Sequence, residues 1–164
     1  MGLDITAVNQ AVFDHAFDLE KCYNDNWNEI IAVWVNPDFS GRNDDLRDGC
    51  YRFTKRFDFR AGSYGGYNSW REELARMALN TTLKKIWADI DAFRGKPFFE
   101  LINFADNEGV IGPITSAKLF RDFTNLSSKA QLVSGYGPFS FYEPYLKWTK
   151  AFDLAKDTGF VIFH

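Results

Sequence analysis

The residues best suited to chemistry lie between Phe57 and Glu72, where a predicted strand runs into a glycine-containing turn and then a helix. Arg60 and Arg71 flank the turn, and guanidinium groups bind phosphate or carboxylate through paired hydrogen bonds. Between them, the backbone amides of residues 63–66 would face an anion at a helix N-terminus, where unpaired N–H groups and the helix dipole favour negative charge. The stretch therefore predicts a binding site for a small anion.

We expect the ligand contacts to come from this corner and from two acidic residues further along the chain. Tyr64 and Tyr67 could stack on a planar ring such as a base, although tyrosines of so aromatic a chain also belong in its core or at its rim. The predicted ligand-binding residues are Arg60, Ser63, Tyr64, Gly65, Gly66, Tyr67, Asn68, Arg71, Asp106 and Glu108.

The same residues also have a purely structural interpretation. The glycines would allow a tight turn with positive φ, and the arginines would pair with Asp58 or Glu72. The spacing matches neither GxGxxG nor GxxxxGK[ST], so the known nucleotide-binding motifs are absent. Asp106 and Glu108 could be an acid pair for general acid–base catalysis, or solvated carboxylates at a turn that ends a helix. No catalytic residue is predicted.

Other site chemistries find little support in the sequence. The acidic residues between Ser40 and Gly49 lack the order of an EF-hand, so an exposed polar loop is expected there and no metal site. Cys22 and Cys50 have no CxxC spacing, which favours two free thiols over a disulfide. His15 is expected at the surface and His164 at a frayed end. No cofactor is predicted.

Composition limits the class of protein. Hydrophobic residues make up 46% of the 164 residues and aromatic residues 18%, so we expect a folded chain whose core is built largely from rings. The net charge of −3 argues against general nucleic-acid binding, which needs a surplus of basic residues. No basic leader and no apolar run of about 20 residues is present, so a soluble, cytoplasmic protein without membrane contact is expected.

Hydrophobic periodicity predicts a single α+β domain over residues 1–164. We expect a mixed or antiparallel sheet of about four to five strands, with helices packed mainly on one face. Ser69 and Glu72 fit the S-x-x-E capping box, so a helix should begin near Ser69. Strands are predicted at residues 3–8, 30–35, 51–60 and 160–163, and further helices at residues 83–93, from about residue 116, and at residues 141–155. Residues 98–105 have helical spacing too, but they could instead form a strand.

Blocks along nearly the whole chain resemble a family of bacteriophage and prophage proteins. They are MGLDITA at residues 1–7, FRAGSYGGYNSWR at 59–71, ELINF at 100–104, EGVIGP at 108–113 and FH at 163–164. In relatives the stretch that corresponds to ADNEG at residues 105–109 often reads SDCEG, so this chain has Asn107 in place of the cysteine. The resemblance implies a phage-encoded protein, and it implies no activity because the family has none established.

The corner and the resemblance together predict a phage-type soluble binding protein of the host cytoplasm. It would capture a small anionic, nucleotide-like ligand, with countering of host defence signalling as the suggested role. One alternative is an inhibitor of a host protein that acts through an exposed aromatic surface. Another is a small hydrolase that uses Asp106 and Glu108.

Overall fold

The computed structural model describes residues 2–16, 18–24, 29–104, 109–134 and 140–164. Its strands are β1 (Leu3–Asn9), β2 (Val12–Phe13), β3 (Ile30–Val33), β4 (Gly49–Arg52), β5 (Lys55–Gly62), β6 (Gly109–Ile111) and β7 (Phe160–Phe163). Its helices are α1 (Leu19–Asn24), α2 (Tyr64–Leu79), α3 (Leu83–Ala88), α4 (Ile90–Phe93), α5 (Phe99–Ile102), α6 (Pro113–Asn125), α7 (Ser127–Ala130) and α8 (Tyr142–Ala155). A 3-10 helix covers Pro37–Arg42.

Two antiparallel sheets form the β part, which confirms the predicted α+β class. The main sheet has the order β5-β1-β7-β6, and a smaller sheet has the order β2-β4-β3. The single strand predicted at residues 51–60 is wrong, since β4 and β5 pair with different partners. β4 lies beside β3, whereas β5 lies along the whole of β1.

Strand β7 lies inside the main sheet, between β1 and β6. The pairing extends to His164, whose backbone N–H donates to Asp4 O at 2.9 Å and whose carbonyl accepts from Asp4 N at 3.2 Å. The expectation of a frayed end at His164 is therefore wrong, because the residue continues the ladder of a buried strand.

The core lies on one face of the main sheet, under α2, α6 and α8, and it is built from rings as the composition predicts. Trp148 of α8 is at its centre and fully buried. Its ring centroid lies 5.1 Å from that of Phe59, 5.4 Å from that of Phe163 and 5.8 Å from that of Tyr67. These are separations at which aromatic pairs attract one another, so one helix residue joins two strands and a second helix.

The opposite face of the main sheet is only partly covered. The small sheet packs against Val8, Phe160 and Ile162 through its own apolar residues, which include Ile31 and Tyr51. This second cluster covers one end of β1 and β7. The other end of the same face is left to polar side chains.

The segment from Ser40 to Gly49 is not the exposed loop that its composition suggests. Arg42 and Asn43 are buried. Asp44 accepts hydrogen bonds from the backbone N–H and the hydroxyl of Thr115, at 3.1 and 3.2 Å. The carboxylate thereby satisfies a free amide in the first turn of α6, which begins at Pro113 and not near residue 116.

The predicted helix over residues 83–93 is divided into α3 and α4. Asp89 interrupts it with φ −145° and ψ 70°, and its carboxylate accepts from Ala92 N at 3.3 Å. The side chain thus caps α4 and ends α3. Asp is a good cap residue and a poor interior one, which explains the division.

Gly159 gives a test of the packing between α8 and β1. A Cβ atom at this position would lie 1.9 Å from Val8 O and 2.9 Å from Ala155 Cα, both in rigid backbone. We expect Gly159→Ala to lower the free energy of unfolding by about 3 kcal/mol, because a close-packed core cannot absorb the methyl group. Urea unfolding measures the loss.

Gly41→Ala is the matched control, since a Cβ there would meet nothing within 4 Å. It should change the free energy of unfolding by no more than about 1 kcal/mol. Equal effects of the two substitutions would contradict the packing described.

Candidate functional site

The predicted glycine turn is the first turn of a helix. α2 begins at Tyr64, and Ser63 is its N-cap, with an extended backbone and an Oγ that accepts from Gly66 N at 3.0 Å. The predicted start at Ser69 is wrong, because Ser69 lies within α2 and donates to Gly65 O at 3.0 Å. The turn needs positive φ only at Gly62, the last residue of β5.

The sequence carried a signal for the earlier start. Tyr67, Trp70, Arg71 and Leu74 follow the spacing i, i+3, i+4 and i+7 of a helix face, and all four are buried. Including Tyr67 in the apolar face moves the predicted start back by one turn. The two glycines, which are poor helix formers, obscured that pattern.

Arg71 and Tyr67 are buried in the core beneath α2. Arg71 is only 3% exposed, and its Nη1 donates to the carbonyls of Ile102 and Phe104, at 3.0 and 2.5 Å. Its Nη2 donates to Asn68 Oδ1, and the guanidinium lies over the Tyr67 ring, 4.7 Å from the centroid. Arg71 therefore holds the C-terminal end of α5.

Arg60 lies on the other side of the main sheet. Successive residues of a strand point to opposite faces, and Phe59 packs into the core, so Arg60 points outward. Its Nη1 lies 3.5 Å from Asp4 Oδ2, with the two side chains 59% and 56% exposed. The sequence placed Arg60 and Arg71 at two ends of one turn, whereas the structure separates them by the thickness of the sheet.

The remaining predicted residues have different surroundings. Ser63, Tyr64 and Gly65 are exposed in the first turn of α2, and Gly66 and Asn68 are partly buried. Asp106 and Glu108 lie outside the described residues.

An open groove of about 470 Å³ lies on the outer face of the main sheet, and Arg60 lines it. We call it the sheet-face groove. Its polar residues follow the register of β5, β1 and β7: Arg60 lies beside Asp4 and Asp4 beside His164, while Asp58 lies beside Thr6. The polar lining of the sheet-face groove consists of Asp4, Thr6, Arg56, Asp58, Arg60 and His164.

Hydrogen bonds join the centre of this groove into a chain. Thr6 Oγ1 donates to Asp58 Oδ1 at 2.6 Å, and Arg56 Nε lies 2.9 and 2.7 Å from the two oxygens of the same carboxylate. His164 Nε2 lies 3.1 Å from Thr6 Oγ1. Thr6 itself is buried, so its hydroxyl is fixed between the carboxylate and the imidazole.

The direction of these hydrogen bonds limits the chemistry. The Thr6 hydroxyl has one hydrogen, and Asp58 accepts it, so His164 Nε2 must carry a proton and donate to Thr6 Oγ1. An imidazole that donates at this nitrogen cannot take the proton of Thr6 as a base would in nucleophilic catalysis. The arrangement therefore does not support proton abstraction from Thr6.

Asp58 is held in its ionised form. Partial burial acts to raise its pKa, but hydrogen bonds from Arg56 and Thr6 and the charge of Arg56 outweigh that effect, and the pKa lies below the ordinary carboxyl value. A carboxylate of low pKa is a weak general base at neutral pH.

Sequence analysis missed Thr6, Arg56, Asp58 and His164 as site residues. Alternation in β5 did place Arg56, Asp58 and Arg60 on one charged face, as predicted. Nothing local in the sequence, however, joins residues 4–6 to residue 164. That junction follows from the antiparallel pairing of the first and last strands.

Neither cysteine is exposed to solvent. Cys22 and Cys50 are free and buried. Burial and the neighbouring Cys50 raise the pKa of the Cys22 thiol to about 12, so it stays protonated and unreactive at neutral pH.

Among the described residues, no group of three or more His, Cys, Asp or Glu side chains could hold a metal ion. No helix of the described ranges is long and apolar enough to cross a membrane.

Comparisons with known proteins found no relative of the chain. No protein-family model matches it, and neither a curated protein nor a solved structure does. The resemblance to phage and prophage proteins therefore depends on the sequence blocks alone.

Arg71 gives a test of its structural role. Arg71→Met leaves the buried carbonyls of Ile102 and Phe104 without their donor, so we expect the free energy of unfolding to fall by about 2–4 kcal/mol. Guanidinium unfolding measures the change. Arg76→Met is the control on the same helix, because Arg76 is 57% exposed in a surface ion pair with Glu72 and should contribute less than about 1 kcal/mol. Similar losses in both variants would contradict this role for Arg71.

The low pKa of Asp58 leads to a prediction of how the stability of the fold depends on pH. Its pKa is lower in the folded protein than the ordinary 3.8, so its contribution is complete above the unfolded pKa and is lost as pH falls through the folded one. Between about pH 5 and pH 2, the wild type should lose more unfolding free energy than Asp58→Asn, which is already less stable at pH 7. Asp91→Asn, at an exposed surface carboxylate, should follow the wild-type profile. Parallel profiles for the wild type and Asp58→Asn would refute the prediction.

Proposed function

We propose that the protein is a non-catalytic binding protein that takes a small anionic ligand in the sheet-face groove. The observation that carries the proposal is the position of Arg60, whose side chain is 59% exposed in the groove. Among the described residues, its ion-pair partner is the carboxylate of Asp4, whose side chain is 56% exposed. Arg60 is also the residue that joins this proposal to the corner predicted from the sequence.

A ligand can replace Asp4 as the partner of Arg60 with little loss of free energy. Ion pairs at this exposure contribute about 0–1 kcal/mol, because water screens both charges. A phosphate or carboxylate group can accept two parallel hydrogen bonds from one guanidinium and is held more strongly than the 3.5 Å contact with Asp4. Gly2 leaves room for Arg60, because a Cβ on Gly2 would lie 2.2 Å from Arg60 Nη2.

Two further basic residues and two acidic residues line the rest of the groove. Arg56 and His164 line it with Arg60, while the acidic Asp4 and Asp58 lie between them. Such mixed lining favours a ligand that carries hydroxyl or amino groups beside its anionic group, as a nucleotide does. Capture of a nucleotide-type signal of host defence is the role that the phage resemblance suggests.

Binding to a panel of probes tests the proposal. We expect AMP or cyclic AMP to raise the melting temperature of the wild type, with saturable binding in titration calorimetry. Arg60→Gln should weaken that binding by about tenfold or more, because a hydrogen bond to a charged group contributes about 1.5–3 kcal/mol. No saturable binding of any probe by the wild type would refute the proposal.

Arg76→Gln is the matched control for this experiment. It removes the same charge from a side chain of nearly equal exposure, 57% against 59%, on a helix at the other face of the main sheet. Affinity should stay within about threefold of the wild type, since surface charges far from a ligand act weakly at physiological salt. An equal loss in both variants would indicate a general charge effect and not a site.

A further inference from the structure

A second cavity, of about 350 Å³, lies between the 3-10 helix Pro37–Arg42 and the start of α5. We call it the Arg42 cavity. It is lined by Asp38, Phe39, Ser40, Gly41, Arg42, Arg94, Gly95, Phe99 and Glu100. None of the residues predicted from the sequence lines it.

Arg42 lines this cavity and is buried, with 8% of its surface exposed. Its Nε donates to Glu100 O at 2.8 Å and its Nη2 to Asn103 O at 2.7 Å. The guanidinium carbon lies 4.9 Å from the centroid of the Phe39 ring. Two of its three nitrogens are thus fixed by the protein, while Nη1 makes no hydrogen bond to any residue that the structure describes.

The charge of Arg42 has no carboxylate partner among the described residues. Asp38 and Glu100 also line the cavity, but neither forms an ion pair with Arg42 among the described residues, and the Glu100 carboxylate lies 2.6 Å from Lys118 Nζ. Arg94 adds a second positive charge and has its own exposed partner, Asp91. Burial and the charge of Arg94 lower the pKa of Arg42 to about 10, partly opposed by Glu100, so Arg42 remains cationic at neutral pH.

A buried cation without a counter-ion is unfavourable, and backbone carbonyls offset only part of that cost. Arg71 also has no carboxylate partner among the described residues, and its Nε has no hydrogen-bond partner there. It lines neither the sheet-face groove nor the Arg42 cavity, however. Arg42 differs because a space large enough for a small molecule adjoins it.

We propose that the Arg42 cavity binds a small oxyanion, a phosphate or carboxylate group, which Arg42 Nη1 and Arg94 hold. The oxyanion supplies the counter-ion that the described chain does not. The rings of Phe39 and Phe99 also line the cavity, with their centroids 4.9 and 5.9 Å from the Arg42 guanidinium carbon. This site is independent of the sheet-face groove, because the two cavities share no lining residue.

Gly41 provides the test, since it lines the cavity next to Arg42 and a Cβ there would meet nothing within 4 Å. Gly41→Glu introduces a carboxylate that can take the place of the oxyanion. Gly41→Gln has the same shape without the charge. Both variants are made in an Arg60→Gln background, so that binding in the sheet-face groove does not contribute.

Titration calorimetry with inorganic phosphate, and separately with acetate, measures the binding. We expect saturable binding of at least one probe by Arg60→Gln, weakened about tenfold by Gly41→Glu and less than about threefold by Gly41→Gln. Arg94→Gln should weaken it severalfold, and Arg76→Gln should leave it unchanged. The two probes distinguish a phosphate site from a carboxylate site.

The proposal is overturned if neither probe binds saturably to Arg60→Gln, or if Gly41→Glu and Gly41→Gln bind it equally. Circular dichroism of each variant shows that the fold is retained. Loss of binding in Arg60→Gln, with the wild type still binding, would place the anion in the sheet-face groove alone and reject the Arg42 cavity.

Discussion

The two-residue alternation of strands β1 and β5 is the constraint on which the rest of the structure depends. Each strand has one face against a core of rings and the other toward a small sheet and solvent. Phe59 must therefore point inward and Arg60 outward, and the helix that follows β5 packs on the side of Phe59. This alternation decides which polar residues can share a site.

Burial of two arginines is the second organising feature. Arg42 and Arg71 come from different parts of the chain, and both donate to backbone carbonyls of the segment from Glu100 to Phe104. This short segment could not satisfy those carbonyls by its own hydrogen bonds, because α5 is a single helical turn. The arginines complete it, and they allow rings to pack around an otherwise polar stretch.

The surroundings of the two arginines differ, and this difference bears on ligand binding. Arg71 is enclosed by Tyr67, Asn68 and the carbonyls that it holds. Arg42 has similar bonds but adjoins a cavity, so the same chemistry that stabilises the fold can also receive a ligand. A guanidinium already fixed by two hydrogen bonds loses little conformational freedom when an anion binds, which favours affinity.

Much of the fold could be predicted from local patterns. The strands at Leu3 and Phe160, the helix over α8 and the aromatic core follow from period-two and helical spacing, which neighbouring residues express directly. Element boundaries were less predictable where a cap residue competes with periodicity. Ser63 and Ser69 both suit a helix start, and the cap hydrogen bond of Ser63 and the burial of Tyr67 go with the earlier one.

By itself, the sequence determined the α+β class, the ring-built core and the charged face of β5, because these depend on residue type and spacing along one segment. Only the tertiary structure decided that Arg60 and Arg71 lie on opposite sides of the sheet. It also decided that His164 meets Thr6 and that Arg42 is buried beside a cavity. These depend on which strands pair and how helices cross them, and contacts between residues distant in the chain leave no local pattern in the sequence.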